Sequence, residues 1–306
     1  MMDVYQNIVN KMPIDKGWSG DRKYCAVTAQ GKKYLLRISS LDRLERKRRE
    51  FEKMTDVSRL GIPMCQPVEF GICEDSVYAV HSWIDGVDAE DAVMSMHADR
   101  QYRYGLDAGR ILAKIHTIPA PEDADDWGTR FNAKIDRKIR MYESCGLKYE
   151  SGGEAFLDYI AQNRYLLSGR PQTYQHGDYH IGNMMIDQYG TLTVIDFDRD
   201  DFGDPWEEFN RIVWCAQAAP AFASGMVDGY FGGAVPVEFW RLLALYICSN
   251  TLSSLPWAVS FGDKEIRVMR NQASEVLEWY DGMRRVIPSW YQPGAAVDFP
   301  GSERGF

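Results

Sequence analysis

This 306-residue chain lacks the features that mark secreted, disulfide-rich or membrane-spanning proteins. Its six cysteines show no C-x-x-C spacing and no framework of a small secreted domain, so we expect reduced, mostly packed thiols. The first twelve residues contain no apolar core segment, so no signal peptide is expected. No uninterrupted apolar run reaches 18 residues, so no membrane span is expected either. These absences predict a cytoplasmic protein that does not enter a membrane.

Positive charge is also scarce, because 35 Lys and Arg residues stand against 44 Asp and Glu residues, a net charge of −9. That balance argues against nucleic-acid binding through phosphate contacts. Residues 1–85 hold 14 basic and 12 acidic residues, whereas residues 86–306 hold 21 and 32. The nearly neutral first part tolerates a polyphosphate, and the acidic second part attracts a cation.

The most informative stretch runs from residue 174 to residue 204 and contains Asp178, Asn183 and Asp196. Two short apolar runs, 184–186 and 192–195, are separated by a D-Q-Y-G turn at 187–190, a pattern that predicts a β-hairpin. A hairpin folds the chain back on itself, so we expect Asn183 and Asp196 to lie side by side. Asp178 then lies in the loop that enters the hairpin.

A carboxylate and an amide oxygen at one end of a hairpin suit Mg²⁺, which prefers oxygen ligands and keeps several waters. A third carboxylate upstream can orient a hydroxyl group and accept its proton. This arrangement is typical of phosphoryl transfer, in which catalysis is mostly positioning and charge neutralisation. The order and spacing match the protein-kinase pattern H-x-D-x-x-x-x-N followed by a metal-binding Asp. An acidic hairpin whose Asp and Asn side chains merely cap turns is the alternative.

The segments HGDYHIGN at 176–183 and IDFD at 195–198 resemble the aminoglycoside phosphotransferase family, which also includes macrolide, choline, homoserine and methylthioribose kinases. By this resemblance Asp178 is the catalytic base, and Asn183 and Asp196 are the magnesium ligands. Asp198 is a candidate auxiliary ligand because it alternates with Asp196. The resemblance implies ATP or GTP as the phosphate donor.

The predicted fold class is α+β, a bilobal protein-kinase-like fold. We expect a small β-rich nucleotide-binding lobe with one main helix at residues 1–85. A large, mostly helical lobe for catalysis and substrate binding is expected at residues 86–306. Sequence typical of strands gives way to helical sequence at 81–86, which sets this boundary. Before the first strands, residues 3–11 have spacing that predicts a short amphipathic helix.

Two strand-like runs at 24–28 and 34–38 follow the small residues Gly17, Ser19 and Gly20. This strand–loop–strand pattern is suited to covering phosphates with backbone N–H groups. Arg37 stands where kinases have a phosphate-binding Lys, and a guanidinium group can hold phosphate bidentately. Lys32 and Lys33 are rival candidates for that role.

In the related enzymes, the corresponding helix supplies the acidic partner of this cation. In this sequence that helix is predicted at residues 41–60. The resemblance favours Glu50 as the partner of Arg37, with Glu45 and Glu52 as alternatives. A hinge at 82–86 would offer backbone groups of Ser82 and Ile84 to a purine edge, as adenine is bound in the family.

The acceptor is expected to be a small molecule, most directly a cationic aminoglycoside antibiotic, which implies resistance by O-phosphorylation. Carboxylates on the two last predicted helices suit its ammonium groups: Glu238, Asp263, Glu275, Glu278 and Asp281. The alternatives are a metabolic kinase for choline, homoserine or a sugar derivative, and a non-catalytic nucleotide-binding module. A monomer or weak dimer is expected.

Overall fold

The computed structural model describes residues 3–15, 20–150 and 152–294. The chain divides into two compact units. Unit 1 comprises Met1–Ala89 and Asn183–Asp200, and unit 2 comprises Glu90–Gly182 and Asp201–Phe306. Unit 1 is therefore built from two separate stretches, and the linear division at residue 85 does not include the second of them.

Unit 1 is rich in β-structure. Its larger sheet is antiparallel, has the order β1-β2-β3-β5-β4, and consists of β1 (Ile8–Pro13), β2 (Arg22–Thr28), β3 (Lys33–Ser40), β4 (Pro67–Cys73) and β5 (Ser76–Ser82). The helix α1 (Leu44–Ser58) lies between β3 and β4 in the chain. A second sheet, in the order β6-β8-β9, consists of β6 (Gly86–Asp88), β8 (Met184–Asp187) and β9 (Leu192–Val194). The predicted hairpin is therefore present.

The alternation of side chains along β3 places a charge opposite the core. Tyr34, Leu36 and Ile38 are buried and join a hydrophobic cluster on one face of the sheet. Because successive strand residues point to opposite faces, Arg37 lies on the other face. That face also carries helix α1, whose Phe51 ring lies 6.0 Å from the ring of His81. The helix therefore covers the face that bears the cation.

One sequence prediction for this unit is wrong. The helix expected at residues 3–11 is replaced by a short 3₁₀ turn, Tyr5–Asn7, and by strand β1. β1 pairs with β2 and, apart from the partly buried Ile8, its residues are exposed. The apolar spacing that indicated a helix therefore buries little. Backbone pairing at the edge of the sheet decides the conformation instead.

Unit 2 is mostly helical. Its helices are α2 (Ala89–Met94, starting at the boundary), α3 (Ala98–Ile115), α4 (Trp127–Ser144), α5 (Gly153–Asn163), α6 (Ile212–Ala218), α7 (Pro220–Phe231), α8 (Val237–Val259) and α9 (Asp263–Trp279). Two short strands, β7 (Thr173–Gln175) and β10 (Asp201–Gly203), pair antiparallel. The predicted α+β class, with a β-rich part and a helical part, is confirmed.

Glycines allow α3 and α7 to pack with their backbones in contact. A Cβ atom built on Gly105 would lie 2.1 Å from the Phe222 carbonyl oxygen, and one on Gly109 would lie 2.1 Å from the Met226 carbonyl oxygen. Both distances are far below van der Waals contact, so no larger residue fits without displacing a helix. These two glycines therefore set how closely α3 and α7 approach.

Helix α8 is long and apolar enough to cross a membrane, judged by length and composition alone. However, 67% of its most apolar window is buried inside the protein, where α4, α5 and α9 pack against it. A mostly buried helix of this kind is typical of a protein core. Its hydrophobicity is therefore accounted for by packing within unit 2.

His81 is a titratable side chain buried in unit 1. It is 7% exposed, and its Nδ1 atom has no hydrogen-bond partner among the described residues. Burial, with smaller contributions from the charges of Arg37 and Lys47, lowers the pKa of His81 to about 3. His81 is therefore neutral in the folded protein, whereas an unfolded chain takes up this proton near pH 6.5.

We predict that unit 1 loses stability as the pH falls from about 7 to about 5, by roughly 2 kcal/mol from His81 alone. The sign follows because the unfolded state binds a proton at His81 in this range and the folded state does not. Urea unfolding of the wild type and of His81→Leu at both pH values measures the effect.

The control for this experiment is His97→Leu, which removes an exposed histidine ahead of α3. We expect it to keep the pH dependence of the wild type, whereas His81→Leu loses most of it. An equal pH dependence in the wild type and in His81→Leu would show that His81 is not the group responsible.

Candidate functional site

Arg37 in unit 1 is surrounded by three carboxylates. Its guanidinium group contacts Asp21 Oδ2 at 2.9 Å, Asp196 Oδ1 at 3.2 Å and Asp198 Oδ2 at 2.8 Å. The Arg37 side chain is 12% exposed. Burial would lower its pKa, but Asp198 and Asp196 outweigh burial and raise the pKa above its usual range. Arg37 is thus a permanent cation that holds together segments more than 150 residues apart.

Asp21 links this cation to helix α1. Its side chain is 1% exposed, accepts a hydrogen bond from Ser39 Oγ at 2.6 Å, and pairs with Lys47 Nζ at 2.9 Å. Burial alone would raise the pKa of Asp21. The hydrogen bonds from Ser39 and Lys47, with the Arg37 charge, lower it to about 2. The carboxylate is therefore ionised throughout the physiological range.

The expected pair between Arg37 and Glu50 is not formed. Glu50 instead pairs with Lys47 at 2.8 Å and with Arg46 at 2.7 Å, both on its own helix. The physical reason is that Asp21 already occupies the side of Arg37 that faces α1, and Lys47 bridges Asp21 to Glu50. Glu50 therefore belongs to the same charge network and is linked to Arg37 through Lys47 and Asp21.

The β8–β9 hairpin brings together the two predicted metal ligands. The Ile195 N–H donates to the Asn183 carbonyl oxygen at 3.0 Å, which places Asn183 beside the residue that precedes Asp196. Asp196 has a φ of +68°, a left-handed conformation that is uncommon for a residue other than glycine. Residues in such conformations cluster at functional sites, where the surrounding structure enforces them.

These residues fit a magnesium ion that relies on ligands from its substrate. Among the described residues, no group of three or more His, Cys, Asp or Glu side chains is arranged to hold a metal ion alone. Asp196 and Asn183 supply hard oxygen donors, and the Asp196 side chain is 32% exposed. Mg²⁺ in nucleotide-dependent enzymes is commonly bound by one or two carboxylates together with phosphates and water, so this donor set suffices.

The predicted hinge lies directly after β5. The Ser82 N–H donates to the Gln66 carbonyl oxygen at 2.8 Å, and Ser82 Oγ accepts from the Gln66 N–H at 2.8 Å. The Ile84 backbone makes no hydrogen bond to any residue that the structure describes. Ile84 thus offers a free donor and acceptor for a purine edge, whereas the Ser82 N–H is already used. The purine-binding role of both residues stays a prediction.

Of the three small residues predicted to cover phosphates, Gly17 and Ser19 lie outside the described residues. A Cβ atom on Gly20 would meet only the flexible end of Arg43, at 3.3 Å, so space does not demand glycine there. The rivals of Arg37 are engaged elsewhere. Lys33 pairs with Asp85 at 2.7 Å, and the Lys32 ammonium lies 5.1 Å from the Tyr34 ring.

In unit 2, hydrogen bonds to buried groups fix the loop that carries Asp178. Gly177 has a φ of +83°, and its N–H donates to Glu208 Oε1 at 2.9 Å. Tyr179 is fully buried and donates its hydroxyl hydrogen to the Ala108 carbonyl oxygen of α3 at 2.7 Å. Asp178, between these two anchors, keeps 17% of its side chain exposed. Its backbone is therefore fixed while its carboxylate reaches the surface of the unit.

Basic side chains stand around this carboxylate. Arg211 Nε lies 3.2 Å from Asp178 Oδ1, and His180 Nε2 lies 3.8 Å from the same atom. His180 Nδ1 accepts from the Gly182 N–H at 3.1 Å, so a neutral imidazole carries its proton on Nε2 and directs it toward Asp178. A carboxylate in this setting can accept a proton from a hydroxyl group.

Helix α4 contributes further cations to the same unit. Lys134 Nζ lies 3.4 Å from Glu207 Oε1, and Gln175 Nε2 donates to Glu207 Oε2 at 3.3 Å. Burial would raise the pKa of Glu207, but Lys134 and Lys138 outweigh burial and lower it. Glu207 therefore joins α4 to β7, the strand that leads into the Asp178 loop.

The carboxylates predicted to bind ammonium groups are spread along α8, α9 and the turn after α9. Glu238, Asp263, Glu278 and Asp281 are exposed. Asp281 pairs with Arg284 at 2.9 Å, and Glu275 accepts a hydrogen bond from Gln217. Their role in acceptor binding stays a prediction.

Sequence reasoning missed Asp21, Arg211, Lys134 and Lys138. Asp21 stands in a polar turn before β2 and has no distinguishing neighbour in the sequence. The two lysines belong to a stretch, residues 130–140, with five basic residues and one acidic residue. That bias within an otherwise acidic part of the chain was the available signal.

The comparisons with known proteins agree with this fold. A family model described as "Phosphotransferase enzyme family" matches residues 12–240. A search of curated proteins found no match. Among solved structures, a thermostable mutant of aminoglycoside phosphotransferase APH(4)-Ia in complex with ADP and hygromycin B is 16% identical. Its TM-score is 0.63, and the alignment covers 90% of this chain and 96% of that one.

Two other kinases have similar structures. Amicoumacin kinase hAmiN, bound to AMP-PNP, Ca²⁺ and Ami, has a TM-score of 0.63 at 14% identity, covering 94% of this chain and 92% of that one. A choline/ethanolamine kinase family protein from Mesorhizobium loti has a TM-score of 0.65 at 13% identity, covering 93% and 94%. Identities this low show a shared fold. With the family match over residues 12–240, they establish that the chain belongs to the APH phosphotransferase enzyme family and has its kinase-like fold.

Proposed function

We propose that this protein transfers the γ-phosphate of ATP or GTP to a hydroxyl group of a small molecule. The observation that carries the proposal is the setting of Asp196, a residue at φ +68° whose carboxylate is held by the buried Arg37. Membership of the phosphotransferase family supports the same reading, since the family match includes the Asp178, Asn183 and Asp196 positions. The structures of similar fold that hold ADP, or AMP-PNP with Ca²⁺, are consistent with a nucleotide and a divalent cation.

The proposed chemistry divides between the two units. In unit 2 the Asp178 carboxylate orients the acceptor hydroxyl and accepts its proton as the oxygen attacks the γ-phosphorus. The bond from that phosphorus to the bridging oxygen of the nucleoside diphosphate breaks, and the phosphoryl group passes to the acceptor oxygen. In unit 1 Arg37 stabilises negative charge on the phosphates, and the Ile84 backbone binds the purine edge.

Asn183 and Asp196 would hold Mg²⁺, with Asp198 as an auxiliary ligand. When bound, the ion neutralises the charge of the phosphate oxygens. Asp21 fixes one side of the Arg37 guanidinium group. The contacts of Arg37 with Asp196 and Asp198 are then the part of the charge network that can rearrange. Lys47 and Glu50 anchor Asp21 to α1.

Two classes of acceptor are candidates. An aminoglycoside hydroxyl, with antibiotic resistance as the outcome, is supported by the fold shared with the enzyme that holds hygromycin B. A metabolic alcohol is supported by the fold shared with the choline/ethanolamine kinase family protein. A cytoplasmic location and a monomer or weak dimer complete the proposal.

We predict that Asp178→Asn lowers kcat by roughly 100- to 10,000-fold, the usual contribution of a positioned general base. The amide keeps the size of the side chain but cannot accept the proton. Nucleotide affinity should stay close to that of the wild type, because Asp178 acts on the acceptor. Nucleotide turnover with an acceptor panel, and AMP-PNP titrations, measure both quantities.

The matched control is Asp107→Asn, the same substitution at an exposed carboxylate of α3 that pairs with Arg110. It should leave turnover unchanged. Undiminished turnover in Asp178→Asn would remove Asp178 from the role of base.

For Arg37→Met we predict nucleotide affinity about 10- to 100-fold weaker, because a charge-assisted contact with phosphate is lost. The variant also leaves Asp196 and Asp198 without their counter-ion, so its melting temperature must be recorded alongside. Titration with AMP-PNP in the presence of Mg²⁺ gives the affinity.

Arg46→Met is the control, since Arg46 lies on α1, is exposed, and contacts only Glu50 within the network. It should bind the nucleotide as the wild type does. A folded Arg37→Met protein with wild-type affinity would show that Arg37 does not contact the phosphates.

A further inference from the structure

Three basic side chains lie in the part of unit 2 that contains Asp178. Arg211 contacts Asp178, Lys134 contacts Glu207, and Lys138 follows Lys134 by one turn of α4. With Glu208, whose carboxylate accepts from the Gly177 N–H, three cations stand with three carboxylates in this part of unit 2. It is therefore less acidic than residues 86–306 as a whole, where acidic residues exceed basic ones by 32 to 21.

Two of these cations keep binding capacity unused. Lys138 makes no hydrogen bond or ion pair with any described residue, although its side chain is partly buried. Arg211 approaches Asp178 most closely through Nε and makes no hydrogen bond through its two terminal nitrogens to the described part of the chain. Arginine offers five donors in a fork that matches the oxygens of a carboxylate or phosphate.

Lys134, Lys138 and Arg211 also share one carboxylate neighbour, Glu207. Lys134 and Lys138 are four residues apart on α4, so their side chains lie on the same face of the helix. Glu207 is influenced by the charges of both lysines and of Arg211. It stands four residues before Arg211 in the 3₁₀ segment Glu207–Arg211. The three cations therefore lie around Glu207, and one of them, Arg211, contacts Asp178.

On the basis of the proposed function, we propose that Lys134, Lys138 and Arg211 bind an anionic group of the acceptor. The acceptor is then a hydroxy compound that carries a carboxylate or a phosphate group. Asp178 would act on its hydroxyl while Lys138 and the terminal nitrogens of Arg211 hold the anion. An aminoglycoside, whose charged groups are ammonium ions, would be repelled by the same cations.

The electrostatic state of Lys138 agrees with this assignment. Burial, reinforced by the positive charge of Lys134, lowers the pKa of Lys138 to about 7. A bound anion would offset the energetic cost of burying the Lys138 charge and would favour the protonated ammonium group. With a pKa of about 7, Lys138 is only partly protonated at neutral pH in the free protein, although Glu207 favours its charged form.

The test is equilibrium binding of matched ligand pairs to the full-length protein saturated with Mg²⁺ and AMP-PNP, so that the nucleotide site is filled. The pairs are glycerate with glycerol, gluconate with glucitol, and glucose 6-phosphate with glucose. Each anionic member differs from its neutral partner by a carboxylate or phosphate group. The first two pairs test a carboxylate as the anionic group, and the third pair tests a phosphate. Hygromycin B is the cationic comparison.

We expect at least one anionic member to bind about tenfold or more tightly than its neutral partner and than hygromycin B. Lys138→Met should reduce that preference by about tenfold, and Lys134→Met should reduce it as well. Methionine keeps much of the apolar stem and removes a partly buried charge, so the variants are expected to fold. Melting temperatures check this.

Arg140→Met is the matched control, because it removes one positive charge from an exposed position on the same helix. It should leave the preference for the anion unchanged. Equal binding of both members in every pair, including no binding by any of them, contradicts the proposal. So does tighter binding of hygromycin B, or an equal loss in Lys138→Met and Arg140→Met.

This experiment separates the proposal from the phosphotransferase activity. Binding is measured with a nucleotide that is not turned over, so an anion preference can be found even in a protein that transfers no phosphate. Mg²⁺-dependent ATP turnover, assayed separately in the wild type, tests the proposed function. Turnover without an anion preference would refute only the acceptor class.

Discussion

The contact on which unit 1 depends is the pairing of one buried guanidinium, Arg37, with the carboxylates of Asp21, Asp196 and Asp198. A buried ion pair costs desolvation energy and contributes little stability unless its geometry and hydrogen bonds are good. Here the charges connect β3, α1 and the chain beyond the β8–β9 hairpin. The main effect of these contacts is to position Asp196, because they hold it in a conformation that the backbone alone would disfavour.

In unit 2, the Asp178 carboxylate is positioned in a different way. Gly177 and Tyr179 fix the backbone on either side of Asp178 through buried hydrogen bonds, and the side chain remains partly exposed. The cations near it come from α4 and from the 3₁₀ segment after β10. A rigid backbone with an accessible side chain is what positioning catalysis requires. In the proposed mechanism, the charges around Asp178 would then select the acceptor.

Much of the fold could be predicted from the sequence, in the places where local patterns determine the structure. The hairpin at 184–194 follows from two apolar runs and a turn containing Gly190, which has a φ of +83°. The Gly105 and Gly109 contacts follow from small residues one turn apart. The strand β1 could not be predicted, because its stability comes from pairing with β2 rather than from its own residues.

The pairing of charged residues was the least predictable feature. The resemblance favours Glu50 as the partner of Arg37, yet Asp21 takes that place and Lys47 pairs with both carboxylates. Nothing in the spacing of these residues ranks one carboxylate above another, since the outcome depends on which side chains are brought to one face of the sheet. The link from Lys134 to Glu207 joins positions 73 residues apart, so only the fold reveals it.

The most direct test of the central claim is the dissociation constant of AMP-PNP measured with and without Mg²⁺ in the wild type and in Asp196→Asn. If Arg37 holds Asp196 ready for the ion, Mg²⁺ should tighten binding to the wild type by about tenfold or more. The variant should show little dependence on Mg²⁺. An identical Mg²⁺ dependence in the two folded proteins would contradict the account.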